Sequence, residues 1–371
     1  MEKKTERLLS LDVFRGITIL GMILVNNPGS WSDIYPPLRH AEWNGCTPTD
    51  LIFPFFLFIV GVTTTISLSK YRDNGNNIEV YKRLIRRSLS IFLVGMFLAG
   101  FPFFNLSTIR IPGVLQRIAV VYFFTSIIFL NVKKQNIVYV ISALLLSYWG
   151  MMTLIPVPGV GSPSLEPSAN LGAWIDRLLL NGHLWSYSKT WDPEGILGTI
   201  PAIGTALLGV LTGYLLKSGD DKTLKTLYMF FYGNILMTLG YIWDFWFPIN
   251  KSLWTSSYVV YTGGMALVFL AVCYWLIDVK GYKWWTKPFH IYGTNAITVF
   301  ALSGLMAKLM GIIKITGSNG EEIALKTFIF NNVYLPIASP INASLLFAVS
   351  YILLWLFLIW LLYRKQIFIK L

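Results

Sequence analysis

The stretch RHAEWNGCTPTD, residues 39–50, gathers His40, Glu42, Asn44, Thr47, Thr49 and Asp50 immediately before the apolar run LIFPFFLFIVG. The whole chain has three histidines, so one at this boundary asks for a reason. Histidine is the side chain best matched to take a proton near neutral pH. Asp50 or Glu42 can orient its ring and stabilise the imidazolium, and Asn44 can hold a substrate oxygen. Structural readings exist for single members: Thr49 or Asp50 as the N-cap of the next helix, Trp43 as an interfacial anchor, His40 merely solvated. One cap needs one side chain, and His40 lies too far upstream to serve. The cluster as a whole points to proton-transfer chemistry at the edge of an apolar segment.

The elements that must position it are membrane helices. Of 371 residues, 55% are hydrophobic and 13% charged, and the mean hydropathy is +0.59. Soluble domains carry about 25% charged residues. The expected fold is therefore an all-α integral membrane protein, a polytopic bundle of about ten spans forming one domain over 1–371. Spans are expected near 12–27, 51–69, 86–104, 113–131, 137–155, 196–216, 224–247, 256–277, 289–312 and 342–363. The stretch 322–336 is shorter and more polar and reads as an interfacial helix. The amino-terminal run lacks a small-residue cleavage site and reads as a retained first helix.

Ten spans put both termini on one side. Six segments, Lys3–Arg15, Lys70–Arg87, Lys133–Lys134, Lys217–Lys225, Lys280–Lys287 and Arg364–Lys370, lie at or between span ends on that side and hold 21 of the 30 Lys and Arg, which places it in the cytoplasm. The net charge of +12 is thus a topology signal rather than a nucleic-acid footprint. The two cysteines, Cys46 and Cys273, make neither a disulfide framework nor a metal site. Residues 28–50 and 156–195 become the long non-cytoplasmic segments.

Ionisable groups at membrane depth are costly and tend to face a partner or a cavity. Asp12 and Arg15, spaced i, i+3, can pair on one helix face. Asp192 and Glu194 in WDPEG read as a cap or as interhelical partners, and Arg110 stands with Gln116 and Arg117 in RIPGVLQRI. Gln116 and Arg117 bring two strong donors towards the bundle. Asn295, beside Gly293, reads as interhelical glue or as a lining residue. Trp174, Trp185 and Trp191 can stack on sugar rings or anchor the interface, while His183 has no evident partner and reads as solvent-exposed.

In order, SLDVFRG, HAEWNGCTPTDLIFPFFLFIVG, IPGVLQRI, WDPEGILGTIPAIG, YGTNAI and LYRKQIFIK closely resemble the transmembrane acyltransferase family of the heparan-α-glucosaminide N-acetyltransferase type. The resemblance runs from about residue 8 to the end. The family's amino-terminal luminal domain and the helix preceding the shared core have no counterpart in it, consistent with ten spans. It implies transfer of an acetyl group from cytoplasmic acetyl-coenzyme A to an amino sugar or glycan across the membrane. His40 then corresponds to the active-site histidine, Asp50 to the acid ten residues on, and Asn26 (or Asn27) to the asparagine ending the first helix. Asn26 or Asn44 would donate to the oxyanion. Gln116, Arg117 and Asn295 would line the coenzyme site, and Lys283, Lys287 or Arg86 would meet its phosphates. No metal is implied. The resemblance further suggests a homodimer, in the cytoplasmic (inner) membrane of a bacterium. A competing class is an amino-sugar permease, since a polar-lined bundle can pass a sugar. The chain shows no internal repeat, which weighs weakly against that class.

Overall fold

The computed structural model describes residues 8–73, 78–316 and 321–369. Helix α1 (Leu9–Asn26) is followed by a 3-10 turn, Pro48–Leu51, that leads into α2 (Ile52–Asp73). Then come α3 (Ile78–Gly100), α4 (Val114–Asn131), α5 (Ile137–Leu154) and a short α6 (Leu171–Leu180). The chain continues through α7 (Thr199–Leu216), α8 (Lys222–Trp243) and α9 (Ser256–Tyr274), the last prolonged by a π-helical turn, Trp275–Val279. After α10 (Lys287–Thr294) and α11 (Ala296–Ile312), a small antiparallel hairpin pairs β1 (Lys314–Thr316) with β2 (Glu322–Ala324). A short α12 (Leu325–Ile329), a π-helical turn (Phe330–Tyr334) and α13 (Pro340–Arg364) complete the order.

Helix dominates because backbone groups in hydrocarbon must be satisfied within their own segment. Among the described residues, seven helices are long and apolar enough to cross a membrane, or eight if the bent pair α10–α11 counts as one span. Each expected span coincides with a helix, but α3 and α8 fall outside that set. Arg83, Arg86 and Arg87 load the first half of α3, while Asn234 and several tyrosines dilute α8. Two other expectations change. The span expected over 289–312 breaks at Asn295 with an 84° bend between α10 and α11. Asn295 leaves helical geometry (φ −123°, ψ 38°). The stretch 322–336 begins as a strand, because Glu322–Ala324 pairs with Lys314–Thr316, and turns helical only from Leu325. Within 156–195, α6 adds a helix capped by Asn170, whose side chain accepts from the Ala173 N–H.

The chain divides into two compact units. One comprises residues 1–40, 47–53 and 273–371. Its centre is the crossing of α1 and α10, which touch backbone to backbone. A Cβ on Gly16 would stand 1.8 Å from the Phe289 carbonyl oxygen, and one on Gly293 would stand 2.2 Å from that of Asp12. Tyr292 Oη donates to the Ile352 carbonyl (2.6 Å) and Tyr351 Oη to that of Ser303 (2.6 Å), tying α13 to α10 and α11.

The other unit comprises residues 41–46 and 54–272. There α2 and α7 cross through Gly61 and Gly209, whose added Cβ atoms would lie 1.7 and 2.0 Å from the carbonyl oxygens of Ala206 and Phe58. Ser256 Oγ donates to the Leu145 carbonyl (2.7 Å) and Trp254 Nε1 to Thr205 Oγ1 (3.1 Å), fastening the start of α9 to α5 and α7.

Candidate functional site

In the first unit, His40 and Asp50 meet: Nδ1 and Oδ1 are 2.6 Å apart. The His40 side chain is 47% exposed and that of Asp50 1%, so a solvent-accessible ring is anchored on a buried carboxylate. The local fold explains the pair. Thr47 is the N-cap of the 3-10 turn, and Asp50 closes a capping box, its Oδ2 accepting from the Thr47 N–H at 3.0 Å. The Thr47 hydroxyl lies 3.0 Å from the same Oδ2 and 2.7 Å from the Arg39 carbonyl oxygen. Capping and chemistry are therefore not rivals at Asp50: one carboxylate oxygen holds the turn and the other holds the ring. Thr49 is buried, its hydroxyl donating to the Pro37 carbonyl (3.2 Å). An ionised carboxylate only accepts, so Nδ1 donates, and the neutral ring carries its lone pair on Nε2.

Also in this unit, α1 ends in two asparagines in different surroundings. Asn27 is buried and its amide donates to the Ile23 carbonyl (2.8 Å), satisfying the helix end, whereas Asn26 is exposed. At the other end of α1, Asp12 and Arg15 pair at 3.1 Å, Arg15 reaches the Gly293 carbonyl (3.3 Å), and His290 Nδ1 stands 3.8 Å from Asp12 Oδ2. Lys283 and Lys287 are exposed, one before α10 and one in its first turn. Asn295 is 1% exposed. Its amide group donates to the Ile367 carbonyl (3.2 Å) and accepts from the Ile369 N–H (2.9 Å), so it clamps the C-terminal tail.

The second unit holds Asn44, Gln116 and Arg117. Asn44 Oδ1 accepts from Asn250 Nδ2 (3.1 Å), and the Gly45 N–H donates to the Ile249 carbonyl (2.7 Å), with Gly45 at φ +105°. Glu42 is exposed in this segment and makes no ion pair among the described residues; Asp50 is the acid that reaches His40. Gln116 is buried against Gly95 and Gly113, where added Cβ atoms would stand 2.5 and 2.6 Å from its Oε1, so it is packed into the α3–α4 contact. Arg117 is 3% exposed. Its Nη2 donates to the Gly195 carbonyl (2.9 Å) and its guanidinium lies 5.1 Å from the Trp254 ring centroid. Nε and Nη1 have no hydrogen-bond partner among the described residues. Arg117 lines a water-sized cavity of about 20 Å³ together with Asp176 and Asp192.

Beside it, Arg110 grips Asp192 with Nε (2.8 Å) and Nη2 (2.5 Å) and reaches Glu194 with Nη2 (2.6 Å). Burial works against the Arg110 charge, but the two carboxylates outweigh it and raise its pKa. Asp192 and Glu194 are thus partners of Arg110 across the chain rather than simple caps. Among the described residues Asp176 has no cation in direct contact, its Oδ1 accepting from the Ile196 N–H (2.9 Å). Burial first, and then the Asp192 charge, push its pKa up to about 6, against the hydrogen bond from Ile196. A Cβ on Gly195 would meet Asp176 Oδ2 at 2.1 Å, so WDPEG needs its glycine to close around this acid. His183 is partnered rather than simply solvated: Nδ1 contacts the Ile109 carbonyl oxygen (2.8 Å), and its own carbonyl accepts from Ile111 N–H (3.0 Å).

Asp176, Asn250 and Trp254 escaped the sequence reading. Asp176 sits in an undistinguished LGAWIDRLLL helix, and Asn250 acts through the corner it folds, its Oδ1 accepting from the Leu253 N–H (2.8 Å). Trp43, Trp191 and Trp185 form an edge-to-face series with centroids 5.1 and 5.7 Å apart, and Trp43 Nε1 donates to the Leu165 carbonyl (3.1 Å). Among the described residues, no group of three or more His, Cys, Asp or Glu could hold a metal ion.

Comparison with known proteins gives this geometry a family. Residues 7–242 match the family described as heparan-alpha-glucosaminide N-acetyltransferase, catalytic. The human heparan-alpha-glucosaminide N-acetyltransferase is 32% identical over 350 residues, covering 79% of this chain and 52% of the relative. The mouse protein of that name is 31% identical over 350 residues, covering 79% of this chain and 53% of the relative. The chain thus spans about half the length of the curated relatives it matches. With apolar helices of membrane-spanning length and a match over well over half its residues, the chain belongs to the heparan-alpha-glucosaminide N-acetyltransferase catalytic-domain family.

Proposed function

We propose that the protein is a transmembrane acetyltransferase. It moves an acetyl group from cytoplasmic acetyl-coenzyme A to the amine of a glucosamine-type sugar on the non-cytoplasmic side. The observation that carries this reading is the 2.6 Å pair of a half-exposed His40 and a buried Asp50, in a chain of this family. An amino sugar at neutral pH is largely an ammonium and must lose a proton before it can attack. His40 Nε2 takes that proton, and Asp50 fixes the tautomer and stabilises the imidazolium. The amine nitrogen then bonds to the thioester carbonyl carbon, and the C–S bond breaks as the amide forms. The second amine proton goes to the departing thiolate, leaving one proton on His40 for release. Asn26 or Asn44 donates to the oxygen that gains charge, a role worth about 2.7–4 kcal/mol in other enzymes.

The exposed Lys283, Lys287 or Arg86 suits the phosphates of the coenzyme by charge. Arg117, with two guanidinium nitrogens unpaired among the described residues, retains hydrogen-bonding capacity. Asn295 and Gln116 serve the coenzyme site by shaping its surroundings, since their side chains are spent on the tail and on α3–α4 packing. Both compact units make up a single acyltransferase domain of ten spans with cytoplasmic termini, in a bacterial inner membrane and as a homodimer.

The test is acetylation of glucosamine by the purified protein in nanodiscs, with acetyl-coenzyme A as donor. The reading requires product with wild type and none above background with His40→Ala. Coenzyme-independent sugar uptake into liposomes, undiminished in His40→Ala, would instead identify a permease.

A further inference from the structure

Three helices of the second unit end side by side, and their ends hold cations that the chemistry above does not use. They are α2, ending at Asp73, α4, ending at Asn131, and α7, ending at Leu216. Arg72 joins them. Its Nη2 donates to the carbonyl of Val132 (2.8 Å), the residue after α4. Its guanidinium carbon lies 5.3 Å from the Phe129 ring centroid and 5.5 Å from that of Tyr214 on α7. Lys134, from the α4–α5 connection, brings its ammonium within 5.4 Å of the same Tyr214 centroid. Among the described residues neither cation pairs with a carboxylate.

Cations at helix C-termini have a structural use, because they answer open carbonyls and the negative end of the dipole. That use accounts for Arg72 Nη2 on Val132 and leaves two donors over. Arg72 Nη1 and Tyr214 Oη are buried atoms with no hydrogen-bond partner among the described residues. A buried donor without an acceptor is destabilising, the more so when charged. Two such donors and a second cation around one ring call for an anion that offers several oxygens. Phosphate is that anion, and a guanidinium already held by a carbonyl and two rings is preorganised for it. The surroundings add to the positive field. Lys70 and Arg83 lie 4.9 and 5.8 Å from the Tyr71 centroid, and Arg87 lies 4.8 Å from that of Tyr122. Glu79, in the first turn of α3, is engaged by Lys82 at 3.0 Å. Position supplies the source of the phosphate. These are ends of apolar helices, and the span that follows Lys134 is only 28% buried. Val138 and Tyr139, in the first turn of α5, are 51% and 72% exposed. A phosphate held by Lys134 therefore stands at headgroup level, with hydrocarbon-facing surface beside it. We infer that this end of the second unit binds the phosphate headgroup of an anionic membrane lipid, with Arg72, Lys134 and the Tyr214 hydroxyl as its donors. The proposed topology puts the site at the cytoplasmic leaflet, where basic pockets between helices meet anionic headgroups. It lies wholly within one unit and does not depend on the acetyltransferase reading.

The experiment measures binding of dioleoylphosphatidylglycerol to the full chain in non-ionic detergent by native mass spectrometry. Dioleoylphosphatidylcholine, which carries a phosphate but no net charge, is the comparison. Wild type should bind the anionic lipid at least about tenfold more tightly than the zwitterionic one. Arg72→Gln, Lys134→Gln and Tyr214→Phe should each weaken that binding by about fivefold or more. Lys82→Gln removes a cation already paired with Glu79 and should change it by less than about twofold. Tyr214→Phe carries most weight, because it removes a hydroxyl and no charge. A diffuse positive surface would feel Lys82→Gln as much as Lys134→Gln and would ignore Tyr214→Phe. Either result overturns the inference, as does equal affinity for the two lipids. Competition separates the sources of phosphate. Coenzyme A or inorganic phosphate, at the lipid's own concentration, should leave the lipid bound. Displacement by either would assign the site to a soluble phosphate and overturn the lipid. Should Arg72→Gln fail to fold, Lys134→Gln, at an exposed position, and Tyr214→Phe still decide the outcome.

Discussion

At the scale of single residues, Asp50 does two jobs with two oxygens, and the jobs can be separated. Asp50→Asn keeps an acceptor for one contact but loses the charge behind the imidazolium. Acetylation should fall by about 10²–10⁴-fold, the usual contribution of a positioned general base. Thr47→Val removes the capping hydroxyl and should cost about 1 kcal/mol of stability with a smaller loss of rate. A Thr47→Val protein as inactive as Asp50→Asn would contradict this division. Asp176 makes a different prediction. Its pKa is raised from 3.8 to about 6, so between those values the folded state keeps a proton that the unfolded chain has released. Stability should therefore be highest at the acid end of that window, fall as pH rises through it, and level off above about 6. In Asp176→Asn the dependence should vanish, as read by apparent Tm in detergent from pH 4 to 7. A slope unchanged in the variant would assign it to other groups.

At the scale of elements, close helix crossings and one helix break organise the first unit. Gly293→Ala places a methyl against the Asp12 carbonyl, which neither backbone can vacate without separating α1 from α10. The expected cost is about 1–3 kcal/mol, the range for overpacking, measured as a fall in apparent Tm. The break at Asn295 frees backbone groups that a continuous span would have satisfied, and the Asn295 amide is committed to the tail. Asn295→Ala should speed amide exchange at Ile369 and increase proteolysis over 365–369 while leaving α13 protected. Equal protection in both proteins would show that the tail is held by its apolar contacts alone.

At the scale of the whole molecule, the proposed topology assigns a side to every loop. In a background of Cys46→Ser and Cys273→Ser, Glu42→Cys should react with a membrane-impermeant maleimide from outside the cell. Lys283→Cys should react only after the membrane is opened. Both positions are exposed, so reactivity reports sidedness rather than burial. Labelling of both from the same side would overturn the ten-span arrangement. Of the ten expected spans, α3 and α8 fall outside the apolar set, and they are the two that this labelling puts to the test. The arginines of α3 fall in its first half, where long side chains can reach the interface.

Membrane class, the approximate positions of the helices and the pairing of His40 with an acid within 40–50 were legible in the sequence because each depends on neighbours along the chain. Insertion free energy sums over contiguous residues, and His40 and Asp50 are joined by a single short loop. Even there, that Asp50 rather than Glu42 holds the ring, and that Thr47 rather than Thr49 caps the turn, was settled by loop geometry. The rest was decided by tertiary structure. Arg110 finds Asp192 and Glu194 more than 80 positions away, Asp176 is strained by a charge on another segment, and Asn295 is claimed by a tail 72–74 residues on. Pairwise packing and the low dielectric around a buried charge depend on which distant segments fold together, and no local pattern of residues encodes that choice.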